Sequence, residues 1–560
     1  MNRAEIWDDF QSNPPQVLIV GGGINGIGTF RDLALNGVRV LLVEQADFCS
    51  GASAASSHMA HGGIRYLENG EFRLVREAVQ ERNRMIENAP HLVRPLPTVI
   101  PIFRVFSGLL NAPLKFLGWL EKPSERGALV IKIGLIIYDA FTRKQKTVPA
   151  HRLEGRNRSL EHFPGMNPSV RYTATYYDGS IISPERLALE VLLDGEAEGV
   201  HVQALNYASL THVADGKVTV RDEMDGSEHH LTPQLIINAA GPWIDRVNGR
   251  MGLDTRYING TKGSHLVLDY TELRQAIGDN EIFFENKDGR IVLVFPLQDK
   301  VLVGTSDLPV TDPDDARCTP QEETYFLEML QRVFPNIRVD LSQVVFRFSG
   351  VRPLAFTQAR NAGQITRDHH IQTDTLGGFP VLSLVGGKWT SFRAFSEQVT
   401  DRVLKALGLS RQKGTQDLPI GGGFGYPKKD ELQNWQAGLS QESGISIQRV
   451  GILFQRYGTR ARQVVEYINQ GLDTPLTGLP AYSRREIEFL VKNEKVQHLD
   501  DLVIRRSLLA YLGGLELTKL KELALVTGSN LGWDETKRGT EVKRCLDILA
   551  EKHGVIIQPA

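Results

Sequence analysis

The stretch "QVLIVGGGINGIGTFRDLALNGVRVLLVEQ" (residues 16–45) constrains this chain more than any other. A short β-branched run, Val17–Val20, enters a turn in which Gly21, Gly23 and Gly26 make the spacing GxGxxG. A helical segment follows, and a second apolar strand over residues 38–43 ends at Glu44. The first glycine permits the tight turn, the second lets backbone amides approach a pyrophosphate, and the third lets the helix pack close to the sheet. The helix N-terminus then faces the phosphates, and an acid at the tip of the second strand can accept hydrogen bonds from ribose hydroxyls. The motif commits the N-terminal region to an α/β, Rossmann-like nucleotide domain, without separating FAD from NAD.

The downstream segments favour the longer cofactor. "CSGASAASSHMAHGG" (49–63) is a run of small residues that reads either as a plain loop or as a track for an extended cofactor, through Ser53, Ser56, Ser57, His61 and Gly62. "GVHVQALN" (199–206, with Val202) reads as a strand. "LIINAAGPWIDRV" (235–247, with Ala240 and Gly241) reads as a strand, small residues and a helix starting at Pro242. "FPVLSLVGGKWTSFRAFSEQVTDRVL" (379–404, with Gly387, Lys388 and Thr390) repeats strand, glycine pair, helix. One helix N-terminus would serve the pyrophosphate and another, around 386–390, would stabilise negative charge on a reduced flavin. "GGGFGYPKKD" (421–430) reads as a linker. No second dinucleotide motif stands out, so the electrons are expected to leave to a quinone or oxygen.

Bulk properties narrow the class. A chain of 560 residues exceeds one hydrophobic core and implies two or three domains. The net charge of −2 argues against a nucleic-acid binder. Three scattered cysteines, Cys49, Cys318 and Cys545, fit a reducing, cytoplasmic compartment and no metal cluster. No secretory signal and no spanning apolar run is visible. Two segments, 101–120 and 128–141, read equally as buried core or as interfacial, which leaves open a peripheral contact with the inner face of the cytoplasmic membrane.

The blocks "IVGGGINGIG", "SAASSHMAHGGIRYLENGEFRLVREA", "NAAGPW", "KGSHLVL", "GTSD", "SGVRPL", "ITRD" and "GGKWTSFR" together resemble the FAD-dependent, respiratory, quinone-linked glycerol-3-phosphate dehydrogenases, with the glycerol-3-phosphate oxidases close by. The blocks span roughly residues 16–400, and "RYGTRARQVVEYI" and "LVIRRSLLAYL" are similar to the family's helical extension. The sequence departs from the family pattern at His58, where lysine is usual, and at Ile27, Phe30 and Phe392. The departures mark a divergent member and keep a related polyol phosphate, such as erythritol 4-phosphate, open as substrate.

The resemblance implies oxidation of sn-glycerol 3-phosphate to dihydroxyacetone phosphate, and a homodimer. A phosphorylated substrate needs cations. Arg65, Arg352, Arg367 and Lys388 lie in four matched blocks, and their convergence would be costly without an anion to receive them. Tyr66 would face the substrate beside Arg65. His265 is the first choice of base, because histidine titrates near neutrality. Arg352 would orient the alcohol oxygen, with Ser306 and Asp307 as supporting groups. His369 and His370 read as loop residues, with no metal site.

The expected architecture is a discontinuous Rossmann-like FAD domain (1–100, 195–245 and 345–410), a mixed-sheet substrate domain (101–194 and 246–344) and a helical C-terminal domain (411–560). Residues 290–307, two apolar runs around a polar turn, predict a hairpin of the second domain. An amine or amino-acid oxidase of the same fold, and a flavoprotein without turnover, are the rival readings.

Overall fold

A computed structural model describes residues 1–64, 71–104, 127–142, 147–285, 291–357 and 368–558, with only the backbone described at Thr142. Two sheets and a helical unit build the molecule. The first sheet has six strands in the order 370–376, 379–385, 235–238, 17–20, 40–44 and 202–206. All its pairings are parallel except that of 370–376 with 379–385. Its central strands are buried up to the partly buried Glu44 at the tip of 40–44, as expected where helices cover both faces. Helices Ile24–Leu35, Pro184–Glu196 and Phe392–Ala406 pack on one face through Ile27, Phe30, Leu187, Val191, Phe395 and Val399. Helix Arg3–Ser12 and a three-stranded sheet over 208–231 cover the other.

The second sheet is mixed and has ten strands. Its longest pairing is antiparallel, Ile258–Leu268 against Val344–Ala355, and the expected hairpin is present as Ile291–Leu297 against Lys300–Gly304. The C-terminal unit is helical from Leu432 to His553, and its core continues into one face of this sheet through Phe346, Phe348 and Tyr511.

The chain crosses between the sheets more often than the sequence blocks suggest. Strands Val93–Ile102 and Val344–Ala355 belong to the ten-stranded sheet, although residues 1–100 and 345–410 are assigned above to the nucleotide domain. Helix Pro184–Glu196, assigned to the other domain, packs on the nucleotide sheet. These memberships depend on pairing partners far away in sequence, which strand periodicity does not report. The glycine run of the expected linker is a buried turn, Gly421–Gly423, because a Cβ on Gly422 would overlap the Tyr457 carbonyl. Among the described residues no helix is long and apolar enough to cross a membrane. Helix Ala128–Thr142 buries Leu135 and Tyr138 yet exposes Leu129, Ile133 and Ile136. The companion interfacial segment lies largely outside the described residues.

Candidate active site

A cavity of about 1650 Å³ runs between the two sheets and the C-terminal helices. Its nucleotide end is built by the first strand–turn–helix. Gly21 has φ +114°, and a Cβ there would stand 2.6 Å from the Ala239 carbonyl oxygen, so the turn admits only glycine. Gly26 lies behind the turn, where a Cβ would overlap the Gly21 carbonyl; the absence of a side chain brings the helix to the strand ends. Helix Ile24–Leu35 starts at Gly23, which provides no side-chain cap, so the positive end of the helix faces the cavity. The Ile24 amide donates to Ser53 Oγ at 3.0 Å, and Trp389 Nε1 donates to the Ser53 carbonyl at 2.9 Å. Glu44 accepts from the Gly22 and Ala46 amides at 2.7 and 2.9 Å, while burial pushes its carboxyl pKa upward.

Gly21, Gly23, Glu44 and Ser53 all line the cavity. So do Ser56, Ser57 and His61 further along the same wall, and Ala240, Gly241, Gly387, Lys388 and Thr390 opposite. This cradle fits FAD: a glycine-walled groove that side chains would block, and at its edge a buried acceptor, Asn25 Oδ1, without a partner among the described residues. Two candidates lie elsewhere. Gly62 donates to Asp178 Oδ1 at 2.9 Å and packs so tightly on Tyr138 that a Cβ would overlap its hydroxyl. Val202 is fully buried in the sheet opposite Val40; the wall is formed instead by residues 207–210 of the next strand.

At the other end, His265 projects from strand Ile258–Leu268. Its ring stacks on Phe348 (centroids 4.7 Å apart, 10° between planes), and Nε2 sits 2.9 Å from Ser57 Oγ. Burial, then the charge of Arg352, holds its pKa well below 6.5, so the imidazole is neutral at physiological pH. Arg352 reaches the cavity from the paired strand, and its guanidinium donates to Thr305 Oγ1 at 3.0 Å and to Asp307 Oδ1 and the Ser306 carbonyl at 3.2 Å. The Ser306 hydroxyl accepts from the Ser264 amide at 2.9 Å and donates to Glu322. Lys388 lines the opposite wall at the start of the turn Trp389–Ser391, and Thr390 Oγ1 donates to the His61 carbonyl at 3.1 Å. Arg65, Tyr66 and Arg367 lie outside the described residues.

His58 brings no cation to this end. Burial pushes its pKa down to about 4, its ring is wedged near Phe348 and Tyr511, and neither ring nitrogen has a partner among the described residues. His369 is not a loop residue in the solvated sense: it is buried against Phe395 (centroids 4.3 Å), and His370 opens strand His370–Leu376. Among the described residues no group of three or more His, Cys, Asp or Glu could hold a metal ion. Phe348 and Asp178 line the cavity without any sequence signal that singles them out; both come from long strands whose facing side is set by pairing.

A glycine cradle with a neutral imidazole and two cations on the walls of the same cavity suits oxidation of an anionic alcohol beside a flavin. Comparisons with known proteins agree. The model of the FAD dependent oxidoreductase family matches residues 16–393, and that of the C-terminal domain of alpha-glycerophosphate oxidase matches 413–538. A glycerol-3-phosphate dehydrogenase of Synechocystis is 31% identical over 96% of this chain and 97% of its own length. A D-erythritol 1-phosphate dehydrogenase of Brucella abortus is 28% identical over 88% of this chain and 93% of its own length. The fold matches the structure of glycerol-3-phosphate dehydrogenase from Bacillus halodurans complexed with FAD, with TM-score 0.75, 22% identity and coverage of 98% and 97% of the two chains. The chain therefore belongs to the glycerol-3-phosphate dehydrogenase family of FAD-dependent oxidoreductases, and FAD is its cofactor.

Proposed function

We propose that this chain oxidises sn-glycerol 3-phosphate at its secondary hydroxyl to dihydroxyacetone phosphate and passes the electrons to a quinone at the inner face of the cytoplasmic membrane. The observation that carries this reading is the convergence of neutral His265 with Arg352 and Lys388 on one cavity from separate parts of the chain. FAD, when bound in the cradle, supplies the hydride acceptor. Arg352 and Lys388 bind and orient the phosphorylated alcohol, and Arg65 and Arg367 complete the cation set. His265 takes the hydroxyl proton at Nε2, where the Ser57 hydroxyl stands ready to relay it. Phe348 and Trp389 exclude water from the reacting carbon. The exposed apolar face of helix Ala128–Thr142 supports a membrane-borne acceptor.

A second reading, oxidation of a different polyol phosphate, is favoured by the D-erythritol 1-phosphate dehydrogenase among the relatives. Anaerobic bleaching of the flavin absorbance by a substrate panel tests both. Glycerol 3-phosphate should bleach fastest, glycine and sarcosine should not bleach, and faster bleaching by an erythritol phosphate would transfer the assignment to the second reading. Arg352→Ala should slow bleaching about 100-fold or more without altering the resting flavin spectrum; unchanged bleaching would remove Arg352 from its role.

A further inference from the structure

The C-terminal helical unit reaches into the nucleotide end of the cavity through one buried ion network. Residues 44–47 form the loop that leaves the tip of the second strand, where ribose hydroxyls are received. At its end Asp47 is fully buried and accepts from Arg506 Nη1 and Nη2 at 2.6 and 2.8 Å, from Asn206 Nδ2 at 2.9 Å, and from Arg505 Nε. Both arginines come from the C-terminal unit. They are consecutive in sequence yet turn toward the same carboxylate, because Asp501–Arg506 winds as a π-helix, a rare form that recurs at functional sites.

Arg505 Nη2 also donates to Asp500 and Asp501 at 2.9 and 2.7 Å, and Arg544 donates to Asp500 at 3.0 Å. Three carboxylates thus meet three guanidinium groups. Asp501 accepts the Tyr207 hydroxyl at 2.6 Å, and the Tyr207 amide donates to the Ala46 carbonyl at 2.9 Å. Ala46, Asp47, Tyr207, Arg505 and Asp500 all line the cavity. The network therefore holds the C-terminal end of the loop at two adjacent residues, Ala46 and Asp47, at the wall where the adenosine end of FAD belongs.

We propose that the C-terminal unit is a working part of the cofactor site: Arg505 and Arg506 clamp Asp47, hold loop 44–47 in the shape that receives the adenosine end of FAD, and make docking of the C-terminal helices and cofactor affinity rise and fall together. The inference rests on FAD as cofactor and is independent of which alcohol is oxidised. Its physical basis is that removing one member of a buried ion network leaves the others uncompensated, so the loop relaxes away from its bound shape. Linkage then requires the effect to run both ways.

FAD dissociation constants of the full chain, read by flavin fluorescence on dilution of the holoprotein, test this. Arg505→Met and Asp47→Asn should each raise the constant roughly tenfold or more, with Arg505→Lys in between. The control is Glu486→Gln, which breaks a buried cluster with Arg456 (2.8 Å) and Tyr457 (2.7 Å) in the same helical unit, away from the cavity lining. It should lower the melting temperature while changing the FAD constant less than roughly twofold. Amide exchange in the wild-type protein should be slower across residues 494–506 with FAD than without. Equal effects of Arg505→Met and Glu486→Gln, or no effect of Arg505→Met, would overturn the proposal. If Arg505→Met fails to fold, the exchange experiment decides alone: no FAD-dependent protection of 494–506 sinks the clamp.

Discussion

At the scale of single residues, burial decides which groups carry charge. His265 is held neutral by its surroundings, so the base role proposed for it would persist to pH values below the ordinary histidine range. Anaerobic flavin reduction should accordingly show no inflection near pH 6.5 and should fall only in more acidic solution. An inflection at 6.5 would mean that the titrating base is a solvated group. His265→Asn should reduce the rate by about 100-fold or more and keep the flavin spectrum. Glu281 shows the opposite effect. Burial pushes its pKa up to about 8; Oε2 accepts the Thr98 hydroxyl at 2.8 Å, and Oε1 has no partner among the described residues. The folded chain keeps this proton up to about pH 8, whereas the unfolded chain releases it near 4.5. Between those values rising pH favours unfolding, by about 1.4 kcal/mol per pH unit for one proton. Glu281→Gln removes that slope, so the variant should lose less stability than the wild type between pH 6 and 8 in denaturant titrations. Parallel losses would show that Glu281 is ionised in the fold.

At the scale of elements, strand pairing sets the active-site geometry. His265 is opposite Gly304 in the antiparallel pair of Ile258–Leu268 and Lys300–Gly304, and the imidazole lies across the bare backbone of that glycine. A Cβ at 304 would overlap the ring. Gly304→Ala should therefore cut turnover nearly as far as loss of the imidazole does, about 100-fold, while FAD stays bound. Normal turnover in this variant would mean that the ring can leave its seat without cost. The same logic holds for Gly350, whose missing side chain leaves room for Ala55 and so seats the small-residue segment 50–57 against the sheet.

At the scale of the whole molecule, helix Ala128–Thr142 joins its outer face to the site. Tyr138 on its inner side donates to Asp178 Oδ1 at 2.6 Å, and the same oxygen accepts the Gly62 amide, while Ile133 and Ile136 remain about half exposed at 50% and 52%. Replacing both isoleucines by aspartate should lower partition to anionic lipid vesicles roughly tenfold and leave soluble bleaching by glycerol 3-phosphate intact; unchanged partition would reject this face as the membrane contact. Much of the molecule was legible beforehand. The first glycine turn, the strands at 202–206, 235–238 and 379–385, the hairpin at 291–304 and the helical C-terminal region follow from local periodicity and turn chemistry, which act between near neighbours. Most of the residues singled out in the sequence line the cavity; Gly26, Gly62 and Val202 do not, and Arg65, Tyr66 and Arg367 lie outside the described residues. Sequence by itself thus determined the nucleotide motif, the cofactor class and the family. Only the tertiary structure decided that His265 is neutral, that Arg352 and Lys388 share a cavity, that His58 is an uncharged core residue and that a C-terminal π turn closes on Asp47. Each depends on contacts between residues far apart in the chain, and desolvation and charge pairing exist only once those residues meet.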